Sequence, residues 1–397
     1  MSRRAVLVTD GEQRASLALV RSLGRAGYEV YVCAPRARSL AGSSRYVRAT
    51  ATAADPLHAP EQFLRDVISL VQRWRVHFLV PVSEGALRVL LPARGSLGNV
   101  IIPFADADTF ARISDKALLL EAAPRYGVAV PRQRVAATRE DALALLAGPL
   151  EYPLVIKPAR SVVDDGARRR KTSVAYAGDR VAAEAELARM GNAAYPVLFQ
   201  QRIVGPGVGI FLLVWDGRPV AVFSHRRIRE KPPSGGVSVY RESIPADETL
   251  VSRSLALLGH FGWRGVAMIE YKLDAVSGTP YLMEINGRFW GSLQLAIDAG
   301  VDFPSLLLRA ASGERVGAMG AYDTGVRSRW WWGDVDHLIA RLRRSDAELA
   351  LPPGAPSRWR TVRDVLTPWR RGDRNEVLRR DDPAPFLHET VEWLRGR

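Results

Sequence analysis

Short apolar runs alternate with stretches of helical spacing over the first hundred positions. Ala5 to Thr9 is an apolar run, and Asp10-Gly11 supplies the turn after it. From Ser16 to Ala26 the apolar residues Leu19, Val20 and Leu23 share a helical face, and Gly27 stops the helix. Tyr28 to Ala34 is predicted as the next strand. Glu61 to Trp74 is predicted as a helix with Phe63, Val67, Ile68, Val71 and Trp74 on one face. His77 to Val82 and Val100 to Phe104 are expected as buried strands. Strands alternating with helices imply a parallel sheet covered on both faces. The loop after the first strand lacks G-x-G-x-x-G, so no dinucleotide site is assigned to it.

Asp115 to Tyr126 is expected to be helical, with Pro124 weakening its last turn. Gly127 and Pro131 mark a boundary. Past Pro153 the pattern turns strand-rich, at Leu154 to Lys157, Thr172 to Ala177, Val197 to Ile203, Ile210 to Trp215 and Pro219 to Ser224. Helical spacing returns from Leu250 to Phe261. Val266 to Leu273 and Thr279 to Ile285 then form a hairpin around Asp274 to Gly278, followed by a helix from Ser292 to Ala299. Beyond Gly313 the chain is rich in Arg, Trp and Pro, without a repeat. The expected division is 1–107, 108–313 and a C-terminal extension, 314–397.

Of the 397 residues, 47% are hydrophobic and 25% charged, as in ordinary globular proteins. No apolar stretch reaches the length of a transmembrane helix, and the N-terminus does not resemble a signal peptide, so a cytoplasmic protein is expected. Cys33, the only cysteine, excludes a disulfide framework and a cysteine-based zinc site. The net charge of +14 rests almost wholly on arginine, because Lys116, Lys157, Lys171, Lys231 and Lys272 are the only lysines. These arginines are spread along the chain rather than gathered in a patch. Solvated faces therefore explain them better than a nucleic-acid surface does, and no nucleic-acid partner is expected. A basic cleft would favour anionic substrates such as nucleotides.

The chemistry-bearing residues concentrate near the hairpin. Glu270 should lie roughly opposite Glu284, and Glu284 and Asn286 share a strand face. Like charges opposite each other destabilise a sheet, and a divalent cation between them reverses that sign. Two carboxylates and an amide suit Mg²⁺, which takes its other ligands from water and phosphate. Arg288, two residues on, could hold a phosphate oxygen. A solvated strand face is the plain alternative.

Lys157 ends the apolar run Pro-Leu-Val-Ile-Lys-Pro, where a buried ammonium is costly without an anion. Lys116 follows Ser114-Asp115 at a helix start, the wrong end of the dipole for a cation unless a phosphate lies near. Either lysine could instead snorkel to water. In the run from His225 to Glu230, Arg226 or Arg229 could meet a carboxylate or an acyl phosphate, with Gly235 and Gly236 letting backbone approach. A basic strand before a plain loop is the alternative there, and His225 is read either as an ordinary strand residue or as a phosphate contact. Glu84, at a strand's carboxyl end, could hold a substrate amine or simply start a helix. Trp330-Trp331-Trp332 is read as packing rather than ligand stacking. Neither a P-loop nor the protein-kinase motif set occurs.

The order of these elements resembles the ATP-grasp superfamily over residues 1 to 313. It runs from Asp115-Lys116 at a helix start through Lys157 in an Ile-Lys-Pro strand to Gln200-Gln201-x-x-x-Gly205. Glu270 and Glu284-x-Asn286-x-Arg288 on paired strands complete it. The sequence most resembles carboxylate–amine ligases and relatives of the carbamoyl-phosphate synthase large subunit. The resemblance implies an α/β chain, with a Rossmann-like parallel-sheet domain before two α+β subdomains that clasp ATP. It implies that Lys116 and Lys157 contact ATP phosphates, with His225 a further candidate. Gln200, Gln201 and Ile203 would face the adenine. Glu270, Glu284 and Asn286 would hold Mg²⁺, with Mn²⁺ as a substitute, and Arg288 the transferring phosphate. The loop from Ser161 to Lys171 departs from the glycine-rich pattern; its only glycine is Gly166.

The implied reaction is attack of a carboxylate on the γ-phosphate, giving an acyl phosphate that an amine converts to an amide. Arg288, Arg229 and Arg226 are the candidate catalytic arginines. The expected partners are a small carboxylate and a small amine, and a homo-oligomer is compatible with this reading. Bicarbonate activation of the carbamoyl-phosphate synthase or carboxylase kind, an ATP-grasp kinase and a non-catalytic nucleotide-binding protein stand as alternatives.

Overall fold

The computed structural model describes residues 4–166, 168–317, 320–351, 354–367 and 372–396. Near the N-terminus the apolar runs pair into a parallel sheet in the order Val47–Thr52, Glu29–Ala34, Ala5–Val8, Phe78–Val80. Helices Arg14–Arg25 and Pro60–Arg73 bury Leu19, Leu23, Phe63 and Val67 in the same core. The edge strand Val47–Thr52 escapes the apolar pattern because its residues alternate between half-buried and exposed. Val100 to Phe104 is not the strand expected. It makes a single parallel bridge, Ile101 to Phe78, and Pro103 removes a backbone donor from the run.

Asp115 caps helix Lys116–Ala122 by accepting from the amides of Ala117 and Leu118. The helix tightens into a 3-10 turn, Ala123–Tyr126, at Pro124. Next comes a four-stranded antiparallel sheet, ordered Gln133–Ala136, Val197–Gln201, Leu154–Pro158, Ala175–Ala177. Its core, around Ile156, Leu187 and Phe199, is separate from the main one. The hairpin Val162–Asp165/Arg168–Lys171 stands apart as a two-stranded sheet.

The remaining strands form a seven-stranded sheet. Its order is Pro280–Asn286, Gly265–Leu273, Gly207–Trp215, Arg218–Lys231, Val237–Ser243, Arg327–Arg329, Asp373–Asn375. The linker into it passes so close to the hairpin that a Cβ on Gly205 would sit 1.7 Å from the Leu273 carbonyl oxygen. The last two strands come from residues beyond 313, so the C-terminal segment is built into this sheet. Trp332 in helix Trp331–Arg343 stacks on Trp393, with centroids 4.0 Å apart, consistent with a packing role. No helix among the described residues is long and apolar enough to cross a membrane.

A buried ion pair docks the C-terminal segment on the N-terminal unit. Arg21 donates through Nε to Asp382 at 2.8 Å and through Nη2 to the carbonyls of Val377 and Asp382, with both side chains 1% exposed. Asp382 also accepts from the Ser44 hydroxyl and the Arg45 amide. Removing one partner of such a pair leaves an uncompensated buried charge. Asp382→Ala should therefore cost about 3–5 kcal/mol, read from urea denaturation.

Candidate functional site

Asp274 accepts from the amides of Val276 and Ser277, which fixes the turn between Gly265–Leu273 and Pro280–Asn286. From that turn Lys272 pairs with Tyr281 and Tyr271 with Leu282, and a bulge between Tyr271 and Glu270 then sets Glu270 directly opposite Glu284. Asn286 lies two residues on, on the same face; its amide nitrogen donates to Glu284 at 2.9 Å, and its oxygen accepts from Arg288 at 2.9 Å.

Cations from separate elements meet these carboxylates. Lys116 Nζ lies 3.2 Å from Glu284 and donates to the Ser161 hydroxyl at 2.7 Å. Lys157, 5% exposed, donates to the Met283 carbonyl at 3.4 Å. Arg227 pairs with Glu270 at 2.5 Å and with Glu230 at 2.7 Å. A small cleft opens here, lined by Glu84, Lys116, Ser161, Glu284, Asn286 and Arg288. The structure thus brings Lys116, Lys157, Glu270, Glu284, Asn286 and Arg288 together.

Burial disfavours charge on both carboxylates, and their neighbours drive them apart. In Glu284 the penalty is outweighed by Lys116, the Asn286 amide, Lys157 and Arg288, so it stays well below the usual carboxylate range. In Glu270 burial prevails, helped by Glu284, against the pull of Arg227, and its pKa is raised. Burial, with the repulsion of Lys116, brings Lys157 down to about 8 despite Glu284 and Glu270.

The basic run is arranged differently from the sequence reading. Arg226 pairs with Glu242 at 2.7 Å, and Arg229 holds both Asp334 oxygens at 2.6 Å. Strand alternation puts Arg226 on the face away from Glu270. A bulge between Arg227 and Arg229 keeps Arg229 with it, where its guanidinium lies over Tyr240 at 4.5 Å. Neither candidate arginine reaches the carboxylates, and the residue that does is Arg227. Which parity faces the site is set by pairing with Gly207–Trp215, a long-range fact that the run itself does not carry.

His225 is fully buried, edge-on to Phe211 at 4.6 Å and separated from Glu270 by the intervening Gly209. Burial, with Arg227 and Arg241 nearby, depresses its pKa well below the usual range, so its ring is neutral and not a phosphate-pairing cation. Gln200 and Gln201 alternate across their strand. Gln200 is buried on the Lys157 side and donates to Gln133 at 2.9 Å, whereas Gln201 turns to the other side near Arg132. The two side chains do not share one surface; Ile203 is buried just beyond them. Glu84 begins helix Glu84–Leu90 behind the Ser83 cap and pairs with Arg88 at 2.9 Å while lining the cleft. The Arg168–Lys171 strand backs onto the N-terminal unit through the Arg169 amide, which donates to the Leu57 carbonyl.

Among the described residues no three His, Cys, Asp or Glu side chains converge as a metal cage. Two carboxylates and an amide oxygen are nonetheless a donor set that fits Mg²⁺, whose remaining positions go to water and phosphate. Arg227, Lys116 and Arg288 occupy those oxygens here.

A family model described as "ATP-grasp in the biosynthetic pathway with Ter operon" matches residues 194–332. No curated protein sequence matches the chain. Solved structures do. The L-amino acid ligase from Bacillus licheniformis is similar at 20% identity, with a TM-score of 0.60 over 78% of this chain and 75% of that one. A biotin carboxylase from Campylobacter jejuni is similar at 16% identity and TM-score 0.61, over 82% of this chain and 74% of that one. The N5-carboxyaminoimidazole synthetase from Staphylococcus aureus is similar at 13% identity and TM-score 0.61, over 82% and 83%. The fold is that of the ATP-grasp superfamily: an N-terminal parallel sheet followed by antiparallel grasp sheets.

A lysine that titrates near neutrality gives a pH signature. The Lys157 ammonium is lost as pH rises through about 8, so an anion bound by it holds best below that value. Affinity for a nucleoside triphosphate should fall as pH rises past about 8. Lys157→Arg should flatten that dependence, as read by calorimetric titration.

Proposed function

We propose that the protein is an ATP- and Mg²⁺-dependent ligase that activates a small carboxylate as an acyl phosphate and joins it to an amine. The observation behind this reading is the cleft lined by Lys116, Glu284, Asn286 and Arg288, with Glu270 paired opposite Glu284 and Lys157 bonded to the Met283 carbonyl beside it. Glu270, Glu284 and Asn286 would hold Mg²⁺, which when bound supplies charge neutralisation at the phosphates. Lys116 and Lys157 bind the triphosphate oxygens as compact point charges. Ile203 and the strand leading to it face the adenine. Arg288, released from Asn286, orients the transferring phosphoryl group with its planar fork.

A carboxylate oxygen forms the new bond to the γ-phosphorus as the bond to ADP breaks. The amine nitrogen then bonds to the acyl carbon, inorganic phosphate leaves and the amine gives up a proton. Burial of the lysines and carboxylates keeps water from the acyl phosphate. Similarity to carboxylase folds supports a second reading, in which bicarbonate is the carboxylate activated.

Offering acids and amines in pairs while measuring ADP release tests the first reading, and bicarbonate alone tests the second. Hydroxylamine should trap a hydroxamate when the right acid is present; a stable phosphoester with no hydroxamate would point to a kinase instead. Glu284→Gln should reduce turnover by at least about 10²-fold, as removal of one transition-state electrostatic partner does, with an unchanged circular dichroism spectrum. Full wild-type turnover without divalent cation would overturn the proposal.

A further inference from the structure

Beyond Glu270 the site face of the large sheet carries a second cluster. His225 stands one position past Gly209 in the row that starts with Glu284 and Glu270. In the next row Arg227 pairs with Arg241, and Arg241 with Ser328. His225, Arg241 and Ser328 are all 0% exposed. Glu376, from the C-terminal segment, closes over them and pairs with both Arg241 and Arg14. Arg14 lies 3.8 Å over the Trp330 ring, and its guanidinium lies where a Cβ on Gly291, next to Trp290, would come within 3.1 Å of it. Trp290 packs on Phe211, which packs on His225, and the ring of residues is complete.

Six polar atoms of this ring are left without hydrogen-bond partners. Both His225 nitrogens, Arg241 Nε, Ser328 Oγ, Glu376 Oε1 and Trp290 Nε1 are buried and make no hydrogen bond. Most buried polar groups in folded proteins are satisfied, so such a concentration in one place calls for a missing partner. The neighbouring Arg21–Asp382 network, on the same C-terminal segment, leaves no buried side-chain atom without a partner, whereas Arg379 Nε and Glu389 Oε2 on that segment are also buried and unpartnered. The unpartnered atoms include donors at Arg241 and Trp290 and a carboxylate acceptor at Glu376. They call for a compact ligand with an acceptor end and a donor end.

We propose that this ring is a subsite for a small zwitterion bearing a carboxylate and an ammonium, held by Arg241 and Trp290 at one end and Glu376 at the other. His225 and Ser328 complete its hydrogen bonds, and Arg14 leaves the cationic charge in excess by one. In the reading proposed above, on which the assignment to a reaction rests, the ring takes the amine-bearing substrate. His225 lies two strands from Glu270, about 10 Å at ordinary strand spacing. That is too far for the acid that meets the γ-phosphate, so the ring does not take the group that is phosphorylated. The C-terminal segment thereby contributes binding chemistry through Glu376.

Binding is tested on the full chain without nucleotide, by calorimetry against the twenty protein amino acids. Each is compared with its decarboxylated amine and its deaminated acid. At least one amino acid should bind, and more tightly than either counterpart. Glu376→Gln should weaken the amino acid about 10- to 100-fold, the range for loss of a charged hydrogen bond, while leaving the deaminated acid little changed. Should that variant fail to fold, Ser328→Ala removes a hydroxyl that no protein atom uses. It should keep the melting temperature and weaken binding several-fold. No binding across the panel, or affinities untouched in both folded variants, would overturn the subsite and leave the ring a pocket for water. Amino-acid binding without ADP release for any acid would leave the subsite standing and sink the ligase reading. ADP release on acid addition with no amino-acid binding would do the reverse.

Discussion

Two carboxylates set face to face on adjacent strands, largely out of water, are the constraint around which this molecule is organised. Like charges in that position repel, and burial raises the cost. The chain answers with cations from four places. Lys116 starts the helix after the N-terminal unit, Lys157 lies in the small antiparallel sheet, Arg227 is two strands away in the large sheet, and Arg288 follows the hairpin. Each sheet of the grasp must therefore be in place before the pair is compensated. The compensation is also unequal, with Glu284 held ionised and Glu270 pushed toward its protonated form. The arrangement suits an exchange of partners. In the proposed function a divalent cation and a polyphosphate would bring both signs of charge, each taking over what a protein group now supplies.

The C-terminal segment meets the same physics with two outcomes. At Arg21 and Asp382 it makes a buried pair whose hydrogen-bonding capacity is filled from three stretches of chain. At Glu376 it makes a buried pair with unused capacity on both sides. A segment that served only to cover the sheet edge would gain from satisfying both. Docking at the first is what holds the second in position, because Val377 accepts from Arg21 directly beside Glu376.

The hairpin and its carboxylates were legible because their signals are local. The turn at Asp274 to Gly278 brings Glu270 and Glu284 near each other within about twenty residues, and a bulge beside Glu270, which the pattern does not show, completes the pairing. The inner strands of the parallel sheet are legible for the same reason, as short apolar runs, whereas the edge strand Val47–Thr52 is not. Arg226 and Arg229 lie away from the site, against the expectation from sequence, because the side a strand turns to the site depends on its neighbour. A bulge inside the basic run then holds both on the far face while Arg227 takes the near one. His225 was ambiguous for a similar reason: only Gly209, on another strand, shows that a ring can lie edge-on there. The C-terminal strands Arg327–Arg329 and Asp373–Asn375 are three residues each, too short to show a period.

Composition carries one more argument. In a chain whose basic residues are almost all arginine, the places where lysine is kept are informative. Lys116, Lys157 and Lys272 of the five all lie near the carboxylates or on the strand that carries Glu270. Arginine suits the pairs elsewhere: its planar fork takes both oxygens of Asp334 from Arg229, and its charge survives burial at Arg21. In the proposed function Lys116 and Lys157 would hold an anion and release it, and there a compact, rotatable ammonium can follow a moving group. Burial can also bring an ammonium within reach of neutral pH, as it does for Lys157, whereas a guanidinium stays charged under any ordinary condition. Against so strong a compositional bias, lysine at these positions reads as a requirement of the site rather than of the fold.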